Sequence, residues 1–202
     1  MLSLLSSDPL IFIILVSGLI IALSFHEAAH AYVAHWLGDD TPKHEGRLTL
    51  NPLAHLDPIG TIALIVFRFG WGKPVHVNPR NFKNPVWGNL ATALAGPMTN
   101  FILAIIFALI GRIIPADSIM ASAMTVFVSI NILLAFFNLL PIPPLDGSKL
   151  LGIIVGEEAY YEIERFGPII LLAFIFFVST YSPFYNTFFE AVQNTAIWLM
   201  GY

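Results

Sequence analysis

The sequence predicts an all-α polytopic membrane protein, with a three-helix core, additional helices and a short β-like or re-entrant region on the cytoplasmic side. Three observations carry this. The 202 residues are 57% hydrophobic and only 11% charged, against about 25% charged in soluble domains, and mean hydropathy is +0.79. Uncharged apolar runs recur, the first from Leu10 to Phe25. Polar and proline-rich punctuation separates them at intervals that fit roughly four to six spans of about 20 residues. No room remains for an appended soluble domain. Residues 1–202 therefore read as one integral membrane domain, its core at about 10–155 and its carboxyl-terminal helices at about 166–202.

The first segment runs from about Leu10 to Leu37, with Asp8-Pro9 as its entry signal and Gly38 as its stop. Met1 to Pro9 has no basic n-region and no small-residue cleavage site follows, so this run reads as a retained helix. Asp39 to Pro58 is polar, and the alternation around Leu48, Leu50 and Leu53 predicts short extended structure. Ile59 to Phe69 is apolar but too short to span as a helix, which makes it re-entrant or interfacial. Gly70 to Pro85, around Lys73-Pro-Val-His-Val-Asn-Pro-Arg80, is a loop or hairpin. Segment two covers about Val86 to Ile114, and its Ala95-Gly96-Pro97-Met98-Thr99-Asn100 run should kink it or admit a neighbouring helix closely. Segment three begins near Ser118, breaks at Asn138 to Gly147 and resumes as Ser148 to Val155; segment four is Phe166 to about Tyr181. The tail from Pro183 to Tyr202 mixes Glu190, Gln193 and Asn194 with aromatics and fits an interfacial helix and a fifth span equally.

Charge restricts the function classes. A net charge of -4 leaves no electrostatic footprint for nucleic acid. Absence of cysteine rules out disulfides, thiolate catalysis and cysteine-based metal sites. Six of the nine basic residues, Lys43, Arg47, Arg68, Lys73, Arg80 and Lys83, lie between segments one and two. The positive-inside rule then puts that region in the cytoplasm and the amino terminus outside.

Polar side chains at membrane depth are costly and by default functional, and here they form a recognisable pattern. His26-Glu27-Ala28-Ala29-His30 places two imidazoles four positions apart, on one helix face, where they can share a zinc ion while Glu27 handles a bound water. His26 lies about 24 Å into its helix at 1.5 Å per residue, below the cytoplasmic surface but within reach of its water. Catalytic zinc usually has three protein ligands. Asp146 is the candidate third, since it follows Pro141, Pro143 and Pro144 and precedes Gly147, and broken backbone at membrane depth is tolerated where it lines a cavity or packs on protein. Its plainer alternative is an N-cap for the helix starting at Ser148. Asn138 is a candidate for binding substrate or stabilising an oxyanion, and it would equally satisfy backbone freed by the prolines. Asn100 and His55 are further candidates for that role; helix packing accounts for Asn100 with Gly96, and loop structure for His55. One zinc ion per chain is expected.

Taken together, His26-Glu-Ala-Ala-His30, Gly46-Arg-Leu-Thr-Leu-Asn-Pro-Leu-Ala-His-Leu-Asp-Pro58, Lys73-Pro-Val-His-Val-Asn-Pro79, Ala95-Gly-Pro97 with Asn100, and Asn138-Leu-Leu-Pro-Ile-Pro-Pro-Leu-Asp-Gly147 resemble the site-2 protease family of intramembrane zinc metalloproteases, in a minimal form without PDZ or CBS domains. The resemblance implies that His26, His30 and Asp146 ligate zinc, that Glu27 is the catalytic acid and base, and that Asn138 faces substrate. It also implies a core of segments one to three and cleavage of a transmembrane segment in another membrane protein, either as regulated intramembrane proteolysis or to clear a stub. The expected setting is the cell membrane of a prokaryote, with a protein substrate, the lipid bilayer and a membrane adaptor or inhibitor as partners. A substrate helix must unwind before attack, and the Leu48–Leu53 and Val75–Val77 edges would pair with it. The rival from another class is a divalent metal-ion transporter using the same His and Asp residues in transit. It would need ligands continuing toward the outer face, where segment one offers only Ser17, Gly18 and Ser24.

Overall fold

The computed structural model describes residues 2–67 and 70–201. Arg68 and Phe69, which end the expected 59–69 element, lie outside the described residues. Among the described residues ten α-helices follow in order: α1 (Leu2–Ser7), α2 (Pro9–Trp36), α3 (Thr41–His44), α4 (Pro58–Phe67), α5 (Pro85–Arg112), α6 (Ile119–Asn138), α7 (Lys149–Val155), α8 (Glu157–Glu164), α9 (Gly167–Thr180) and α10 (Ser182–Met200). Among the described residues three are long and apolar enough to cross a membrane, α2, α5 and α6; the α8–α9 pair, bent by 62°, makes a fourth if it counts as one span.

Local signals set the ends of these spans. Asp8 caps α2 by accepting from Ile11 N–H, and proline opens it. Asn84 caps α5 through Trp87 N–H, and Ser118 caps α6 through Ala121 N–H. The three helices pack through small side chains. Ala22, Ala28, Ala31 and Ala34 of α2, Ala93, Ala104 and Ala108 of α5, and Ala121 and Ala135 of α6 are all buried. Close backbone approach of this kind suits helices that gain nothing from hydrophobic exclusion in lipid.

The tail is a packed helix. Val192, Ala196 and Met200, one turn apart on α10, join Ala104, Ala108, Val128 and Ile132 in the buried core. At its end, Arg112 of α5 donates to the carbonyls of Leu199 and Trp198 at 3.0 and 3.3 Å, so α10 finishes level with α5.

The region between α2 and α5 corrects one expectation. Among the described residues there is an isolated bridge between Leu56 and Gly72 and no strand. Asn51 instead caps a 3-10 turn over Pro52–Ala54: the alternation of leucines was a surface pattern around a proline turn. Two buried hubs hold this segment together. Asp39 accepts from Thr41 N, Thr41 Oγ1, Asn78 N and Asn81 Nδ2, and Arg47 donates to the carbonyls of Ala54, Lys73 and Pro74.

Candidate metal centre

His26 and His30 lie one turn apart on α2, 4% and 8% exposed, with ring centroids 4.7 Å apart and planes at 82°. The broken segment after α6 brings Asp146 to them. Backbone closeness makes that possible, because a side chain at Gly147 would begin 2.7 Å from the Leu140 carbonyl oxygen and closer still to that of Leu139. Asp146 Oδ2 stands 3.1 Å from His26 Nε2 and 3.4 Å from His30 Nε2. It is buried without a hydrogen-bond partner, so the N-cap alternative fails: its carboxylate caps nothing. Among the described residues these three form the single group placed to hold a metal ion, their ligand atoms within 4.8 Å of one another.

The hydrogen bonds behind the rings decide which nitrogen carries a lone pair. His30 Nδ1 faces the Thr92 carbonyl oxygen at 2.7 Å. A carbonyl only accepts, so Nδ1 holds a proton, and on the neutral ring Nε2 is bare. His26 Nδ1 faces Asn100 Oδ1 at 2.6 Å, and the Asn100 amide nitrogen donates to Asn131 Oδ1 at 2.9 Å and to the Ala22 carbonyl at 3.2 Å. That assigns Oδ1 as the acceptor and again leaves Nε2 bare. Two imidazole nitrogens, each ring oriented from behind, and an unpartnered carboxylate oxygen converge on one point. Gly96 of α5 keeps that point open, since a Cβ there would sit 2.6 Å from His26 Nε2. The donor set of two imidazoles and a carboxylate, with room at the centre, fits a zinc ion with an open position.

A second cluster braces the Asp146 turn. Ser148, fully buried, donates to the Tyr160 hydroxyl at 2.9 Å, which donates to Glu164 Oε1 at 2.9 Å. Lys149 Nζ donates to the same oxygen at 2.5 Å and lies 5.1 Å from the Tyr160 ring centroid. This ties the turn to α8.

The remaining candidates are spread out. Glu27, partly exposed, follows His26 and precedes His30 by three, on the neighbouring strip of α2. Asn138 Nδ2 donates back to the Leu134 carbonyl at 3.0 Å, so one of its donors serves its own helix. His55 is buried in the loop, its Nε2–H donating to the Thr49 carbonyl at 2.8 Å. Asn131 was not singled out in the sequence, although an amide inside the apolar run of α6 is the same costly signal that marked His26. Thr92 acts through its backbone and no sequence pattern marks it.

Comparison with known proteins agrees with this geometry. A profile of Peptidase family M50 matches residues 113–181, which include Asn138 and Asp146. YwhC of Bacillus subtilis (strain 168) is 43% identical over 170 residues, 78% of each chain. Rip2 of Mycolicibacterium smegmatis is 32% identical over 149 residues, 68% of this chain and 55% of its own length. Both carry the name "Putative zinc metalloprotease". Zinc metalloprotease MJ0392 of Methanocaldococcus jannaschii is 27% identical over 143 residues, 71% of this chain and 34% of its own length. The chain thus spans about half of Rip2 and a third of MJ0392. No solved structure gives a significant match. On its identity and coverage with YwhC and the profile match, the chain belongs to Peptidase family M50, the site-2 protease family that its motifs resemble.

Proposed function

We propose that this chain is an intramembrane zinc endopeptidase that cuts a transmembrane segment of another membrane protein from the cytoplasmic side, with residues 1–202 as one catalytic domain. The observation that carries this reading is the convergence of His26 Nε2, His30 Nε2 and Asp146 Oδ2 inside a bundle of three apolar helices. Zinc held there supplies a Lewis acid that polarises the scissile carbonyl and makes water a nucleophile near neutral pH. Glu27 takes the proton of the attacking water and hands it to the leaving amine. Asn138, with its second amide hydrogen and its carbonyl uncommitted to Leu134, holds the unwound substrate strand. The irregular backbone at 75–77 offers the edge that such a strand needs. An apolar cavity of about 460 Å³, walled by Leu23 of α2, Leu64 of α4, Leu133 of α6, Leu140 just beyond it and Phe174 of α9, gives an apolar segment a place beside the site. A transport route is disfavoured, because the Ser17 and Ser24 hydroxyls are turned back onto the Ile14 and Ile20 carbonyls of their own helix.

The test pairs metal content with turnover in the full chain reconstituted in vesicles with a single-span reporter carrying a Pro-Gly pair. Wild type should hold one zinc and cut the reporter. Glu27→Gln should hold zinc and lose cleavage by about 10²–10⁴-fold, and Asp146→Ala should hold none. Cleavage surviving Glu27→Gln would overturn the assignment. Turnover that does not fall when the Pro-Gly pair becomes Leu-Leu would remove the unwinding step.

A further inference from the structure

Behind the two imidazoles lie two different kinds of support. His30 Nδ1–H rests on a backbone carbonyl, that of Thr92, which has one possible role. His26 Nδ1–H rests on the side-chain amide of Asn100, which has two. Turned over, that amide would present its NH₂ to Nδ1; the ring would then accept at Nδ1, carry its proton on Nε2, and have no lone pair to offer at the metal point. Something must hold the amide the right way round.

The shorter of the two contacts from the Asn100 NH₂ goes to Asn131 Oδ1 on α6, at 2.9 Å. The other, at 3.2 Å, is to the Ala22 carbonyl, which as a helical carbonyl also serves the amide of His26. Asn131 is itself oriented by a group that cannot turn: its Nδ2 donates to the Phe127 carbonyl at 2.9 Å, leaving only Oδ1 to face Asn100. Both asparagines are fully buried, so no solvent competes for these bonds. From these contacts, and resting on the reading of His26 as a zinc ligand, we propose that Asn131 is a positioning residue that fixes the proton of His26 on Nδ1. It acts through Asn100, and so makes the register of α6 against α2 and α5 a condition of zinc binding. The plainer role, an amide joining helices, predicts a loss of stability and nothing at the metal.

The experiment is chelator competition against the zinc-loaded full chain, with the ¹⁵N shifts of the His26 ring as a second readout. Asn131→Leu keeps volume and removes the acceptor; zinc should bind about ten- to hundredfold more weakly, the range seen when a second sphere is removed. Should that variant fail to fold, Asn131→Ser can still back-bond to Phe127 but falls short of Asn100, and the same loss is expected. Asn131→Asp, as the neutral acid, donates to Phe127 and accepts from Asn100, so it should restore affinity and the Nδ1–H signature. Leu or Ser variants that bind zinc as tightly as wild type, or an Asp variant as weak as the Leu one, would overturn the proposal. A lowered unfolding temperature with unchanged zinc affinity would return Asn131 to the joining role. Wild type without zinc would sink the metal reading itself and this inference with it, whereas zinc held equally by wild type and Asn131→Leu sinks only this one.

Discussion

Two aspartates in this chain hold carboxylate oxygens away from water and are treated in opposite ways. Asp39, at the foot of α2, accepts four hydrogen bonds, from Thr41 twice and from Asn78 and Asn81. Asp146, in the broken segment after α6, has an oxygen facing the Nε2 atoms of two imidazoles whose Nδ1–H groups are already committed to Thr92 and Asn100. A carboxylate saturated with donors is a strut. One starved of them while surrounded by lone pairs is a place for a cation. The contrast separates the two halves of the molecule: in the loop region buried charge substitutes for a core, and in the helix bundle it is reserved for the site.

The comparison can be broken from either side. The largest effect is expected from Asp146→Asn, which should empty the site of zinc, measured by metal analysis, while far-UV circular dichroism shows the helices intact. If zinc survived, Asp146 would be another strut. Next comes Arg47→Leu, which leaves up to three carbonyls without their donor at about 1–3 kcal/mol each. Residues 39–84 should become sensitive to limited proteolysis while zinc content holds at one per chain. Asp39→Ala should do the same more mildly, since backbone amides freed near the surface can find water. Tyr160→Phe is smaller again, removing one hydroxyl from the brace behind Asp146, and should weaken zinc in chelator competition by less than Asn131→Leu does.

The smallest effect is a pH dependence. Burial alone would raise the Asp39 carboxyl, but the hydrogen bonds from Thr41, Asn78 and Asn81 outweigh it and hold the group below its ordinary 3.8. The unfolded loop therefore binds this proton before the folded one does. The contribution of Asp39 is complete above pH 3.8 and is lost as pH falls through the lower folded value. Hydrogen exchange over residues 39–84 should quicken below that pH in wild type, and Asp39→Asn should flatten this acid limb.

How much of this was legible in the sequence follows from the kind of force at work. The spans of α2, α5 and α6 were readable because an uncharged run of sufficient length admits few alternatives in water or lipid. His26, His30 and Asp146 stood out because each is expensive where it lies. α8 was missed: it is short, carries Glu157, Glu158, Glu162 and Glu164, and owes its place to a contact with the Asp146 turn that no local pattern announces. The sequence of α10 fits two readings because Glu190, Gln193 and Asn194 dilute its apolar character, yet Val192, Ala196 and Met200 repeat every four residues and give away the packed face. The alternation of leucines at 48–53 predicts short extended structure, but Asn51 and Pro52 favour a capped turn, and turn chemistry prevails over alternation. One of the basic residues that set the orientation, Arg47, is also structural and buried in the loop, and Arg112, outside that group, closes α10.

Gly96 shows what the open centre demands of its scaffold. Elsewhere in a helix, exchanging glycine for alanine stabilises by about 0.5–1 kcal/mol because it trims the freedom of the unfolded chain. At this position the added methyl would occupy the volume where the imidazole nitrogens meet. A methyl this close to the His26 and His30 rings would force them to shift, so Gly96→Ala should lower the unfolding temperature and the zinc content together. The gain that trimming a helical glycine gives elsewhere is forfeited at the middle of α5, where the missing side chain is the room the imidazoles need.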